Sequence, residues 1–257
     1  MRASGSLCAV VAAGVIATAG CGGGGDAASS AKPQLTVSAA ASLKGAFTTY
    51  GQQFGGAKAR FSFAGSDELA AQIRQGVRPD VFAAANTKLP DQLYHEGKVT
   101  RPVVFAGNRL VLAVPAGSSK VRTLRDLTRS GVKLAVGAES VPVGSYTRNV
   151  LARLPAGESK AILANVRSNE PDVKGVIGKL TQGAADAGFV YATDVVATEG
   201  KVRTIELPRS LQPLVKYGIA AVKGAKQPKA AKAFIEGLLS GAGLKAMTDA
   251  GFESPPK

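Results

Sequence analysis

From Gln34 onward, apolar positions switch repeatedly between short strand-like runs and stretches at helical spacing. Gln34 to Ala39 reads as a strand and Leu43 to Phe54 as a helix. A strand over Arg60 to Phe63 and a helix over Asp67 to Gln75, ended by Gly76, follow. Asp80 to Ala84 is a compact apolar run, and Lys88 to Glu96 is helical before Gly97. Arg109-Leu-Val-Leu-Ala-Val114-Pro115 is the longest clear strand of the middle region. Beyond it the spacing predicts a helix near Leu124 to Thr128, a strand over Lys133 to Val136 and helices over Gly144 to Leu154 and Ser159 to Ala164. Strand Val166 to Ser168, helix Val173 to Thr181 and strand Ala187 to Tyr191 complete the alternation. Gln212 to Val222 is strand-like again, and Pro228 to Ala250 holds two helices broken near Gly241-Ala-Gly243.

Such alternation predicts an α/β fold, with parallel or mixed sheet covered by helices on both faces. One strand leaving the first α/β unit near Val111 and another returning near Val215 would make two lobes joined by two crossing strands. The lobes are expected at 34–112 with 214–257, and at 113–213. Ligands of open α/β sheets bind at strand C-terminal ends, where helix N-termini converge. In a two-lobed body those ends face each other across a cleft.

The first twenty residues read as a signal segment: Arg2 is the only charge before Asp26, and Leu7 to Ala19 is apolar or small throughout. Thr18-Ala19-Gly20-Cys21 resembles a bacterial lipoprotein signal, which makes Cys21 the expected lipidation site. Residues 21–33, rich in Gly, Ala and Ser, read as a flexible tether. The only other cysteine, Cys8, falls inside the signal, so no disulfide is expected in the mature chain. The net charge of +14 suggests nucleic acid at first sight, but an exported chain without tryptophan and with singly scattered basic residues lacks a stacking platform. A solvated basic surface, or a field attracting small anions, is the remaining reading.

Candidate chemistry gathers where strands open onto helices. Ser42 and Ser66 each stand at such a junction, in Val37-Ser-Ala-Ala-Ala-Ser42-Leu and Phe63-Ala-Gly-Ser66-Asp. A first helical turn carries unpaired N–H groups and the positive dipole end. A serine there either caps its own helix or turns its hydroxyl to an anion. Ser140-Val-Pro142-Val143-Gly144 sets a third junction, whose free N–H groups lie near Val143. At a fourth, Asp172 reads as the cap of the helix from Val173; at the fifth, the strand Gly188-Phe-Val-Tyr191 delivers a phenol. Taken singly, each has a plain structural alternative: the serines as caps, Tyr191 as a core aromatic. His95 and the Gly107-Asn108-Arg109 turn carry no expected role.

The ordered set of motifs Ala-Ala-Ala-Ser-Leu at 39–43, Phe-Ala-Gly-Ser at 63–66, Pro79-Asp80-Val-Phe, Gly107-Asn-Arg-Leu-Val, Val141-Pro-Val-Gly144 and Gly188-Phe-Val-Tyr191 resembles the periplasmic molybdate-binding proteins of ABC importers. These are type II substrate-binding proteins, and the resemblance spans the whole chain after the tether. It implies a two-lobed periplasmic-binding-protein-like (type II) fold that holds molybdate, or tungstate, without arginine. Ser42 and Ser66 would supply hydroxyls, Val143 and Val173 backbone amides, and Tyr191 its phenol. Molybdenum would arrive only as its oxyanion, as transported ligand and not as cofactor. The resemblance further implies delivery to an ABC permease and its ATPase, a monomer lipid-anchored on the outer membrane face, and no nucleic-acid partner. Asp67 and Glu68, beside Ser66, would have to point away from the anion.

Two alternatives stand beside this one: the same fold for sulfate or phosphate, and a secreted hydrolase using Ser42 or Ser66 as nucleophile. One histidine, no clustered acid pair and no P-loop leave little for the second.

Overall fold

The structure, a computed structural model, describes residues 32–255. The signal, Cys21 and nearly all of the tether lie outside the described residues.

The first half of the chain runs β1 (Gln34–Ala40), a 3-10 turn over Ala41–Leu43, α1 (Lys44–Gln53), β2 (Lys58–Ala64), α2 (Ser66–Arg74), β3 (Val81–Ala84), α3 (Lys88–His95), β4 (Val103–Asn108) and β5 (Leu110–Pro115). The second half runs β6 (Leu134–Gly137), α4 (Pro142–Leu151), α5 (Ala156–Ala164), β7 (Val166–Glu170), α6 (Val173–Thr181), β8 (Ala187–Tyr191), α7 (Ala192–Val196), β9 (Val202–Ile205), β10 (Val215–Ala221), α8 (Pro228–Leu238) and α9 (Gly241–Asp249).

The strands form two five-stranded sheets, in the orders β2-β1-β3-β10-β4 and β7-β6-β8-β5-β9. In the first, β1 is parallel to β2 and β3, while β10 runs antiparallel to β3 and β4. The second repeats the plan: β6 is parallel to β7 and β8, and β5 runs antiparallel to β8 and β9. The reversed strand of each sheet is the one that arrives from the other. The chain crosses at Arg109, between β4 and β5, and returns through 206–214, between β9 and β10. The outward crossing thus falls slightly before residue 112, where the sequence reading ends its first lobe.

Central strands are buried on both faces and read as continuous apolar runs, as Val81–Ala84 and Ala187–Tyr191 do. In the first lobe, α1 and α8 clasp an aromatic cluster in which Phe47 and Phe234 meet edge-on, with ring centres 5.7 Å apart. Tyr50 donates its hydroxyl to the Phe234 carbonyl at 3.1 Å.

Two strands and one α-helix escaped the sequence reading. β4 was obscured by Gly107 and Asn108, poor strand formers that take their place through pairing with β10. β9 is a four-residue edge strand of mixed polarity. Beyond Tyr191 the chain turns directly into the short α7.

Candidate functional site

Neither serine caps a helix. Gly65 is the N-cap of α2, Ala40 precedes the 3-10 turn and Leu43 precedes α1, and none of them makes a side-chain cap bond. Ser66 is the first residue of α2, and its Oγ accepts the Ala85 N–H at 3.1 Å. Ser42, within the 3-10 turn, has its Oγ 3.0 Å from the Tyr217 hydroxyl on β10. Both are buried.

The other lobe contributes two helix ends. Val141 caps α4, and Pro142 occupies the first turn, where its missing N–H costs nothing. Gly144 is required there, because a Cβ would sit 1.9 Å from the Ala138 carbonyl oxygen. The α6 N-terminus is capped by Asp172, whose Oδ1 accepts the Gly175 N–H at 2.9 Å. Val143 and Val173 thus stand in first turns, whose amides lack intrahelical acceptors. The α6 end is tied to α7 by Lys174 Nζ and Asp194 Oδ1, 2.8 Å apart. Burial raises the Asp194 carboxyl pKa, against the pull of Lys174.

These ends converge. One small cleft is lined by Ser42, Ser66, Val143, Val173 and Tyr191, together with Ala85, Gly65, Asp172 and neighbouring small residues. No lysine or arginine is among its lining residues. The lobes come close at its rim: a Cβ on Gly65 would lie 2.5 Å from the carbonyl oxygen of Pro171.

Tyr191 is 1 % exposed, and its hydroxyl has no hydrogen-bond partner among the described residues. Burial first, then neighbouring Tyr217, Tyr146 and Asp194, push its phenol well above the usual range. It therefore stays protonated and can only gain from an acceptor in the cleft.

The structure brings all five sequence-predicted residues to one place. Asp67 lies beside Gly65, outside the cleft lining, and Glu68 accepts from Gln72 on the exposed face of α2. His95 is exposed at the end of α3. Among the described residues, no group of three His, Cys, Asp or Glu side chains is gathered for a metal cation.

Sequence reasoning missed Tyr217, Asn108 and Thr193, which back the cleft. Asn108 Nδ2 donates to Thr193 Oγ1 at 2.9 Å and to the Tyr217 hydroxyl at 3.4 Å. Tyr217 was legible only as one aromatic in a strand, and Asn108 only as a turn residue.

Two mixed α/β sheets exchanging strands around an interlobe cleft define a two-lobed, periplasmic-binding-protein-like solute-binding protein. The chain belongs to the bacterial extracellular solute-binding protein family, whose model matches residues 35–253. It is 36 % identical over 263 residues to the molybdate-binding protein ModA of Mycobacterium tuberculosis H37Rv, covering 98 % of this chain and 97 % of that one. The fold matches the periplasmic molybdate-binding protein of Azotobacter vinelandii with a TM-score of 0.77 at 21 % identity, covering 86 % of this chain and 100 % of that one. The sulfate-binding protein SubI of Mycobacterium tuberculosis matches with a TM-score of 0.78 at 19 % identity, covering 86 % and 87 %. Relatives of this kind are solute-binding proteins and not enzymes, so the hydrolase alternative is set aside. What such a protein carries is a transported ligand and not a cofactor.

Proposed function

We propose that this chain captures molybdate, and tungstate, in the interlobe cleft and delivers it to an ABC permease driven by its ATPase. Ser42, Ser66 and Tyr191 donate hydroxyls, and the amides at Val143 and Val173 complete the cage from the other lobe. The mature protein is a monomer anchored to the outer membrane face through lipidated Cys21, so a Cys21→Ala variant is expected in the soluble and not the membrane fraction. The observation that carries the reading is the partnerless Tyr191 hydroxyl in a cleft with cation-free walls. The molybdate-binding names of relatives such as ModA of Mycobacterium tuberculosis support the choice of ligand.

The physical case rests on fixed neutral donors. Hydrogen bonds to a charged acceptor contribute about 1.5–3 kcal/mol each, and donors held on helix ends need little reorganisation. The Ser66 oxygen already accepts from Ala85, so its hydrogen is free to be given. A fully deprotonated tetrahedral dianion suits such a cage.

Thermal unfolding with molybdate, tungstate, sulfate and phosphate tests this. A ligand at a thousand times its Kd adds about 4 kcal/mol of stability. Molybdate and tungstate are expected to raise the Tm by several degrees at micromolar levels, and sulfate and phosphate far less. Equal shifts with sulfate would sink the assignment.

A further inference from the structure

We infer that Tyr217 and Asn108 are positioning residues that fix the direction of the Ser42 hydroxyl proton, making Ser42 a permanent donor to the cleft. The inference deepens the oxyanion reading above and rests on it.

One chain of contacts fixes the position of each proton. Asn108 Oδ1 accepts the Arg109 backbone N–H at 2.9 Å. That bond settles which end of the amide is which, because a nitrogen facing the N–H would set donor against donor. Asn108 Nδ2 therefore faces Thr193 and Tyr217. An amide nitrogen only donates, so the Tyr217 oxygen is an acceptor toward Asn108. The Tyr217 ring is buried, and burial keeps its phenol protonated. Its single proton has one hydrogen-bonding oxygen within reach among the described residues, Ser42 Oγ at 3.0 Å. Any other orientation leaves a buried hydroxyl hydrogen unpaired, which costs more than one ordinary hydrogen bond contributes.

The consequence reaches the site. Ser42 Oγ is an acceptor on its inner side, so its own hydrogen is turned away from Tyr217 and toward the cleft that Ser42 lines. Without Tyr217 the hydroxyl would be free to rotate, and the ligand would have to order it. Ser66 is held by the same logic through the Ala85 amide, but there the backbone does the work and no side chain can be altered. Tyr217 is the place where this orientation depends on a side chain. The chain also starts where the polypeptide passes between sheets, since Asn108 ends β4 and Leu110 begins β5, while Thr193 belongs to α7 of the other lobe.

The test is a double-mutant cycle on molybdate affinity, measured by isothermal titration calorimetry with wild type, Tyr217→Phe, Ser42→Ala and the double variant. Phenylalanine keeps the ring against Phe252 and Phe105. Tyr217→Phe is expected to weaken binding about tenfold, the effect of one well-oriented donor. In the Ser42→Ala background the same change is expected to have almost no further effect, since the two act through one proton. Asn108→Asp, which places an acceptor opposite Tyr217, is expected to weaken binding at least as much, through reversal of the chain. Equal effects of Tyr217→Phe with and without Ser42 would overturn the inference and leave Tyr217 a packing residue. Undiminished affinity in Tyr217→Phe would overturn it as well. Absence of molybdate binding by the wild type would instead overturn the oxyanion reading itself.

Discussion

A buried hydroxyl has one proton to give, and its value at a binding site depends on whether something else already claims it. Ser66 and Tyr191 sit at opposite extremes. The Ser66 oxygen is engaged by Ala85, whereas the Tyr191 hydroxyl has no partner among the described residues. Their truncations should therefore differ. Tyr191→Phe removes an unpaired polar atom, so ligand-free stability in urea should hold or rise by about 1 kcal/mol while molybdate affinity falls about tenfold. Ser66→Ala should lower both, because the Ala85 amide loses its acceptor. Loss of ligand-free stability in Tyr191→Phe would show that its hydroxyl has a structural role. At this scale the sequence was informative about types and silent about partners. The motifs pointed to both serines, yet the cap reading failed because Gly65 and Ala40 hold the cap positions. Tyr217 lies 175 residues from Ser42, and no local pattern announces such a contact.

Helix ends are where local sequence speaks most clearly. Asp172 was legible as a cap because an acid before an apolar helical run satisfies an orphan amide, and its bond to Gly175 is as expected. The cap sets the end of α6, and with it the Val173 amide. Asp172→Ala should cost about 1 kcal/mol of stability in urea unfolding and loosen ligand binding, whereas Asp172→Asn, which keeps a capping oxygen, should lose only a few tenths. Identical losses in the two would mean that charge and not capping is what matters there. Elements built by partnership were harder to see. β4 carries Gly107 and Asn108, and β9 is four residues long at a sheet edge; each is a strand because a neighbour pairs with it. The α4 start at Pro142 lies two residues before the expected Gly144, since proline suits a first turn that apolar periodicity does not register.

For the whole molecule, the alternation of strands and helices was enough to give two α/β lobes, because the period of each run is set by which face it buries. Which strand is exchanged between sheets was visible only as two long apolar runs near Val111 and Val215. Burial of tyrosines across both lobes has a consequence for alkaline stability. Burial raises the Tyr50 phenol from 10.0 to about 12, and raises Tyr191 and Tyr217 well above 10.0. Unfolded tyrosines release their protons near pH 10, while the folded ones keep theirs, so the folded state binds more protons above that pH. This contribution is fully present below pH 10 and is lost as pH rises toward 12. Each tyrosine steepens the decline by about 1.4 kcal/mol per pH unit. Urea unfolding between pH 9.5 and 11.5 should show it, and Tyr50→Phe should make the slope shallower by about that amount; an unchanged slope would place the titration elsewhere.

The strand exchange also sets an order in time. Every strand of the second sheet lies between Leu110 and Ile205, so that sheet has all its partners once residue 205 has been synthesised. The first sheet does not: β4 joins it only through β10, which ends at Ala221. The lobe that begins first is therefore finished last, and its closing pairs span more than a hundred residues of chain, the kind of contact that forms slowly. Because Tyr217 rides on β10, Ser42 spends most of synthesis without the neighbour that orients it.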